Sequence, residues 1–225
     1  MNHDYDSHDK DHFRCLQRDF PVNTTIPVHT ALSIVHARYD KLNTEAFVKI
    51  LESLDDLEFP SFFSRLPLAL HTYLFKDILS NADRYRLESD PGQGAVFFGQ
   101  GQKFAGAPPG KIKHLIRDAC SRLIVDHEHA VYNAVKFYQQ FVMIHPFYDA
   151  NGRIGRFMVE IYLNFHGIGI SWEALCSNEK WIKKLNDCHK RSTSHTYELY
   201  IGRLKQHWEQ FIFVEGLDAP SICPR

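Results

Sequence analysis

The sequence predicts a mainly α-helical single domain with one small β-hairpin. Three observations carry that expectation. Apolar residues recur at three- and four-residue spacings along most of the chain. Around Gly99-Gln100-Gly101 the pattern changes to short apolar runs flanking a glycine turn. At 225 residues, without an internal repeat, the chain can build one substantial core.

Taken in order, the first nineteen residues, MNHDYDSHDKDHFRCLQRD, are polar and read as a solvated tail. The tail runs to residue 27, and its His3, His8 and His12 among aspartates offer at most weak metal chelation. A first helix is expected from Val28 to Leu42, with Ala31, Leu32, Val35 and Tyr39 on one face, and a second from Thr44 to Leu57. Pro60 and Pro67 are read as separating a Phe62-Phe63 turn from a third helix over Leu68–Leu79, whose His71 is assigned no catalytic role. Asp90-Pro91-Gly92 signals a turn. Ala95-Val96-Phe97-Phe98 and Gln102-Lys103-Phe104-Ala105 then form the two arms of the hairpin. Such an edge can capture an extended peptide by strand addition.

Further helices are expected at Ile112–Val125 and Glu128–Val142, at Trp172–Leu175 after Ser171, at Glu179–Arg191 after Asn178, and at Tyr197–Phe213. His127-Glu128-His129 lacks the HExxH spacing and a nearby third ligand, so zinc is a minor reading there. The domain spans 28–215, and 216–225 is an irregular tail. Lys and Arg number 26 against 27 Asp and Glu, a balance that carries no nucleic-acid footprint. The five cysteines are odd in number and lack a CxxC pair, which reads as reduced thiols. With neither a signal peptide nor a membrane-length apolar run, a cytoplasmic protein is expected.

The chain is organised around IHPFYDANGRIGRFMVEIYLNF, Ile144 to Phe165. A polar turn, Asp149-Ala150-Asn151-Gly152, opens a helix in which Met158, Ile161, Tyr162 and Phe165 are helically spaced. Asn151 suits a cap and Gly152 close ligand approach. Arg153 and Arg156 then stand near a positive dipole end, where an ordinary helix carries acids. They answer either structural ion pairs or a bound anion such as phosphate. There is no P-loop and no dinucleotide fingerprint. In front of the arginines, His145 is a candidate base at neutral pH and Asp149 an oxygen ligand for a hard cation.

The run His145-Pro146-Phe147-Tyr148-Asp149-Ala150-Asn151-Gly152-Arg153-Ile154-Gly155-Arg156 resembles the signature of the Fic domain family, with Ala150 where members often have glycine. The resemblance covers about residues 68–191. It implies a helical domain that transfers AMP from ATP to a Tyr, Thr or Ser hydroxyl of a target protein. His145 would be the base, and Arg153 would serve both catalysis and nucleotide binding. Asn151, Gly152 and Arg156 would hold phosphates, Mg2+ would sit at Asp149, and Phe147 would anchor the loop. It further implies that the hairpin is a flap over the site, at about Val96 to Phe104, with Phe97, Phe98 and Phe104 among its target-docking residues. Which of Phe97 and Phe98 faces the site stays open. Transfer of UMP, phosphate or phosphocholine, removal of AMP, and a non-catalytic nucleotide-binding module are the competing readings. Many members are silenced by a glutamate in a hydroxyl-residue-xxx-glutamate-glycine/asparagine motif. Here Glu215-Gly216 supplies its end, but Phe211 occupies the hydroxyl position. An antitoxin-like inhibitor protein, a degenerate brake at Glu215, and no brake all remain open, as does a homodimer.

Overall fold

The computed structural model describes residues 7–22, 26–55, 58–99, 101–123 and 127–214. Its helices are α1 (Ser7–Asp19), α2 (Val28–Asp40), α3 (Thr44–Glu52), α4 (Glu58–Phe75), α5 (Pro109–Ser121), α6 (Ala130–Ile144), α7 (Asn151–Phe165), α8 (Trp172–Ser177), α9 (Glu179–Lys190) and α10 (Tyr197–Trp208). Two antiparallel strand pairs join them. β1 (Phe97–Phe98) pairs with β2 (Phe104–Ala105), and β3 (Ile168–Ile170) with β4 (Ile212–Val214). The mainly α-helical class and the hairpin are therefore as expected.

The signature helix α7 is the axis of the fold. Ile154, Phe157, Met158, Val159, Ile161, Tyr162 and Leu163 are all buried, so apolar side chains leave it on nearly every side. It packs against α3, α4, α6 and β3. Close approach to α6 depends on Gly155, where a Cβ would stand 3.1 Å from the Phe141 ring and 3.2 Å from that of Tyr138. Gly167, at φ +69°, ends the helix in the left-handed conformation that glycine adopts without cost.

Four expectations need correction. The polar start is not a solvated tail throughout: α1 buries Phe13 and Leu16, and Phe20 follows them into the core. Those three share a helical face, and the polar residues around them are simply its outer side. Pro60 and Pro67 do not break the chain, because α4 runs through both; Phe62 and Phe63 lie on it rather than in a turn. Pro60 falls in the first turn, where no amide donor is needed, whereas Pro67 is interior and is held by burial of Phe63, Leu66, Leu70 and Leu74 around it. That helix ends at Phe75, not Leu79, and Asp77 adopts φ +66° just beyond. Finally, α10 stops at Trp208, and Ile212–Val214 forms a strand in place of the expected helical end. The partner strand accommodates it through Gly169, where any Cβ would fall 2.2 Å from the Phe213 ring. The expectations for Glu215 and for the tail from 216 lie outside the described residues.

Candidate active site

His145 follows α6 as its C-cap, in the left-handed region at φ 50°, ψ 62°. That conformation is unfavourable for a residue with a Cβ, so the surroundings must hold it. Its amide donates to Phe141 O at 3.1 Å, and its Nδ1 lies 3.3 Å from Val142 O. With Nδ1–H donating there, Nε2 is left as the proton acceptor. The ring of Phe98 lies flat on the imidazole, centroids 4.4 Å apart at 14°. Burial pushes the His145 pKa down to about 4, and the Arg86 charge adds to the shift while Asp149 opposes it. The ring is therefore neutral at pH 7.

The turn after His145 is pinned from below. Phe147 is buried and stacks on His71 at 4.0 Å and 5°, with Tyr85 tilted against it at 5.3 Å. His71 is thereby structural: it is buried, bonds Ala82 O through Nδ1 at 2.8 Å, and has a pKa lowered to about 4 by burial. Tyr148 donates its hydroxyl to Asp90 at 3.1 Å. Asp90 is itself held by both terminal nitrogens of Arg84 and by Leu87 N.

Asn151 does different work from that expected. It is 4% exposed; its Oδ1 accepts from Phe147 N at 3.0 Å and its Nδ2 donates to Phe147 O at 2.8 Å. Both ends of the carboxamide thus close the loop. Nor is Asn151 the cap. Ala150 holds that position at φ 63°, ψ 9°, without a side-chain cap bond.

The first helical bond of α7 is Ile154 N to Ala150 O, so the amides of Asn151, Gly152 and Arg153 have no acceptor within the helix. Arg153 lies beside them, with Nη2 3.2 Å from Asp149 Oδ1 and Nη1 3.2 Å from His36 Nε2. Arg156 folds back toward the helix start, its Nη1 3.6 Å from where a Cβ on Gly152 would stand. Tyr138 and Tyr39 bracket its guanidinium and contribute to a raised pKa, against the opposing effect of burial. The structure thus gathers His145, Asp149, Gly152, Arg153 and Arg156 at one helix entrance, with Phe98 covering the histidine. Val96 and Phe104 belong to the same hairpin, whereas Phe97 points outward and is 60% exposed.

Three contributors had no signal in the sequence. His36 and Tyr39 come from α2, more than a hundred residues from the arginines they touch; Tyr39 also donates to Arg153 O at 3.4 Å. His189 of α9 lies under the hairpin, 5.1 Å from the Phe104 ring and 5.9 Å from that of Phe98. It receives a 3.0 Å hydrogen bond from Gln139 and has a pKa lowered to about 4 by burial and by the neighbouring His145.

Residues 64–163 match the model of the Fic/DOC family. No curated protein is similar in sequence to this chain. Among solved structures, the N-terminal Fic domain of a VirB-translocated effector protein from Bartonella sp. AR 15-3 superposes with TM-score 0.57 at 17% identity, covering 93% of this chain and 95% of that one. A corresponding domain from Bartonella quintana with bound ADP gives 0.55 at 16% identity, covering 89% and 96%. The BepC protein of Bartonella tribocorum with bound AMPPNP gives 0.55 at 13% identity, covering 88% and 98%. At these identities the superpositions speak for the fold, and the stretch matched by the family model contains the whole of the site loop. Residues 64–163 thus match the Fic/DOC family model, and the chain shares the fold of the solved Fic domains.

Proposed function

We propose that the chain is a protein adenylyltransferase, moving AMP from ATP to a Tyr, Thr or Ser hydroxyl of a target protein. The observation that carries this reading is the neutral His145, with Nε2 available, beside a helix entrance that offers free amides and two arginines. In the proposed step the target oxygen attacks the α-phosphorus and a new O–P bond forms. The bond from that phosphorus to the bridging oxygen of the β-phosphate breaks, pyrophosphate leaves, and the hydroxyl proton passes to His145 Nε2. The amides of Asn151, Gly152 and Arg153, with the guanidinium of Arg153, face the charge that develops on the phosphates. Arg156, one turn further, sets the position of the nucleotide.

Among the described residues no cluster of three or more His, Cys, Asp or Glu could cage a metal. Asp149 fits the other common arrangement, in which a single carboxylate and substrate phosphates share a magnesium ion. Its Oδ1 is taken by Ala150 N and Arg153, which leaves Oδ2 for the ion. Bound there, the ion would offset charge on the phosphate oxygens. The ADP and AMPPNP in the two Bartonella structures support a nucleotide as the substrate. A target protein with an acceptor hydroxyl, and an antitoxin-like inhibitor protein, are the partners this reading implies.

The test is His145→Ala, assayed for ATP binding and for transfer. Loss of transfer by at least about a hundredfold, with ATP affinity kept, supports the assignment. Transfer at the wild-type rate would remove His145 from the role of base.

A further inference from the structure

Arg86 is 2% exposed, and its guanidinium is spent on backbone carbonyls rather than on a carboxylate. Nε donates to His145 O at 2.8 Å, and Nη2 to Ala107 O at 2.8 Å and Ile144 O at 3.3 Å. Nη1 bonds Gly94 O. Arg86 N also donates to Pro146 O at 3.2 Å. Gly94 and Ala107 are the two roots of the hairpin; Ile144 and His145 begin the left-handed turn. The same seam carries two backbone bonds of 3.0 Å, Ala107 N to Ile144 O and Gly106 N to Val96 O. Gly106 lets the strands close on the turn: a Cβ there would lie 2.6 Å from Val96, 3.0 Å from Arg86 and 3.1 Å from His145.

We propose that Arg86 is a positioning residue that fastens both roots of the hairpin to the His145 turn, making one unit in which Phe98 closes on the catalytic ring. A planar fork with five donors meets several carbonyls at fixed angles, which a lysine ammonium cannot do. A buried cation held by carbonyl dipoles also acts on the imidazole nearby. The charged and titratable groups facing His145 are Arg86, Asp149 in its own loop, His12 on α1 and His189 on α9. Of these, Arg86 is the one permanent cation, so it opposes protonation of His145 at every pH in working range. The kinetic consequence rests on reading His145 as the base; the tether does not.

The experiment follows the full chain by NMR, reading amide exchange at Gly106 and Ala107 and the imidazole titration of His145 in Arg86→Lys and Arg86→Gln. Both variants should speed exchange at Gly106 and Ala107 by at least about tenfold, with Leu163 in α7 unchanged. His145 should titrate near its wild-type midpoint in Arg86→Lys, which keeps the charge, and at higher pH in Arg86→Gln. Unchanged exchange at the hairpin roots would overturn the proposal. So would an equal rise at Leu163, which marks a structural residue and nothing more. Should Arg86→Gln fail to fold, the exchange in Arg86→Lys decides the tether by itself. These readouts need no turnover, so a chain that transferred no AMP would sink the functional reading and leave this result standing.

Discussion

Phe98 of the hairpin lies face to face with His145, ring centroids 4.4 Å apart and planes 14° apart. Its neighbour Phe97 points the other way and is 60% exposed. Strand alternation makes this split inevitable once one of the two faces the loop. Phe98→Ala should therefore lower kcat by about tenfold or more, because it frees the ring of the proposed base His145. It should also move the acid limb of the pH profile upward, as water reaches an imidazole that burial now holds near 4. Phe97→Ala should spare kcat and raise KM for the target. Steady-state kinetics on both variants decides it, and equal effects would contradict the assignment.

Three histidines, His71, His145 and His189, have pKa values lowered from 6.5 to about 4, in each case chiefly by burial. The fold favours their neutral forms, whereas the unfolded chain takes up protons below pH 6.5. Stability is accordingly present above pH 6.5 and is lost as pH falls toward 4. For His71, the most buried, the loss by pH 5 is about 2 kcal/mol. Denaturant titrations at pH 7.5 and pH 5 should differ by at least that much. His71→Phe, which keeps the stack on Phe147, should shrink the difference.

Gly106 stands where the hairpin meets the His145 turn, and Gly106→Ala cannot be accepted without movement of Val96, Arg86 or the His145 Cβ. Stability should fall by about 1–3 kcal/mol, the range for overpacking. Activity should fall further than stability alone explains, because the displaced strand carries Phe98 with it. Thermal melts beside kinetics at a temperature where the variant is folded separate the two losses.

Ala150 is held at φ 63° at the entrance of α7. Ala150→Gly should relieve about 1 kcal/mol of backbone strain in the folded chain, partly offset by the greater freedom of glycine when unfolded. A small rise in melting temperature, with ATP affinity unchanged, is the expected outcome.

Much of this was legible in the sequence, for reasons that differ by element. The helix of residues 151–165 announced itself because its apolar period is long and its entrance is a polar turn with a glycine. His145, Asp149, Arg153 and Arg156 were readable because they fall within one contiguous loop and helix start. Asn151 was misread as the helix cap because its type says only that it can bond backbone amides. The loop brings Phe147 N and O to it, and that is a property of the fold. α1 was missed because Phe13, Leu16 and Phe20 are too few to outweigh the polar residues around them. Packing onto Phe75 and Tyr148, distant in sequence, makes the helix worth forming. Pro67 gave the opposite error, since a local rule against interior proline yields to the burial of the face around it. His36, Tyr39, Arg86 and His189 reach the site only through tertiary contacts, and no local pattern could have marked them.

The most direct test of the central claim is to incubate the purified chain and a whole lysate with magnesium and ATP labelled at either the α- or the γ-phosphate. In parallel, His145→Ala is treated the same way. Protein labelled from the α-phosphate alone, and only by the chain with His145 intact, is the predicted result. Label from the γ-phosphate alone would contradict AMP transfer and make the chain a phosphate-transferring enzyme built on the same site.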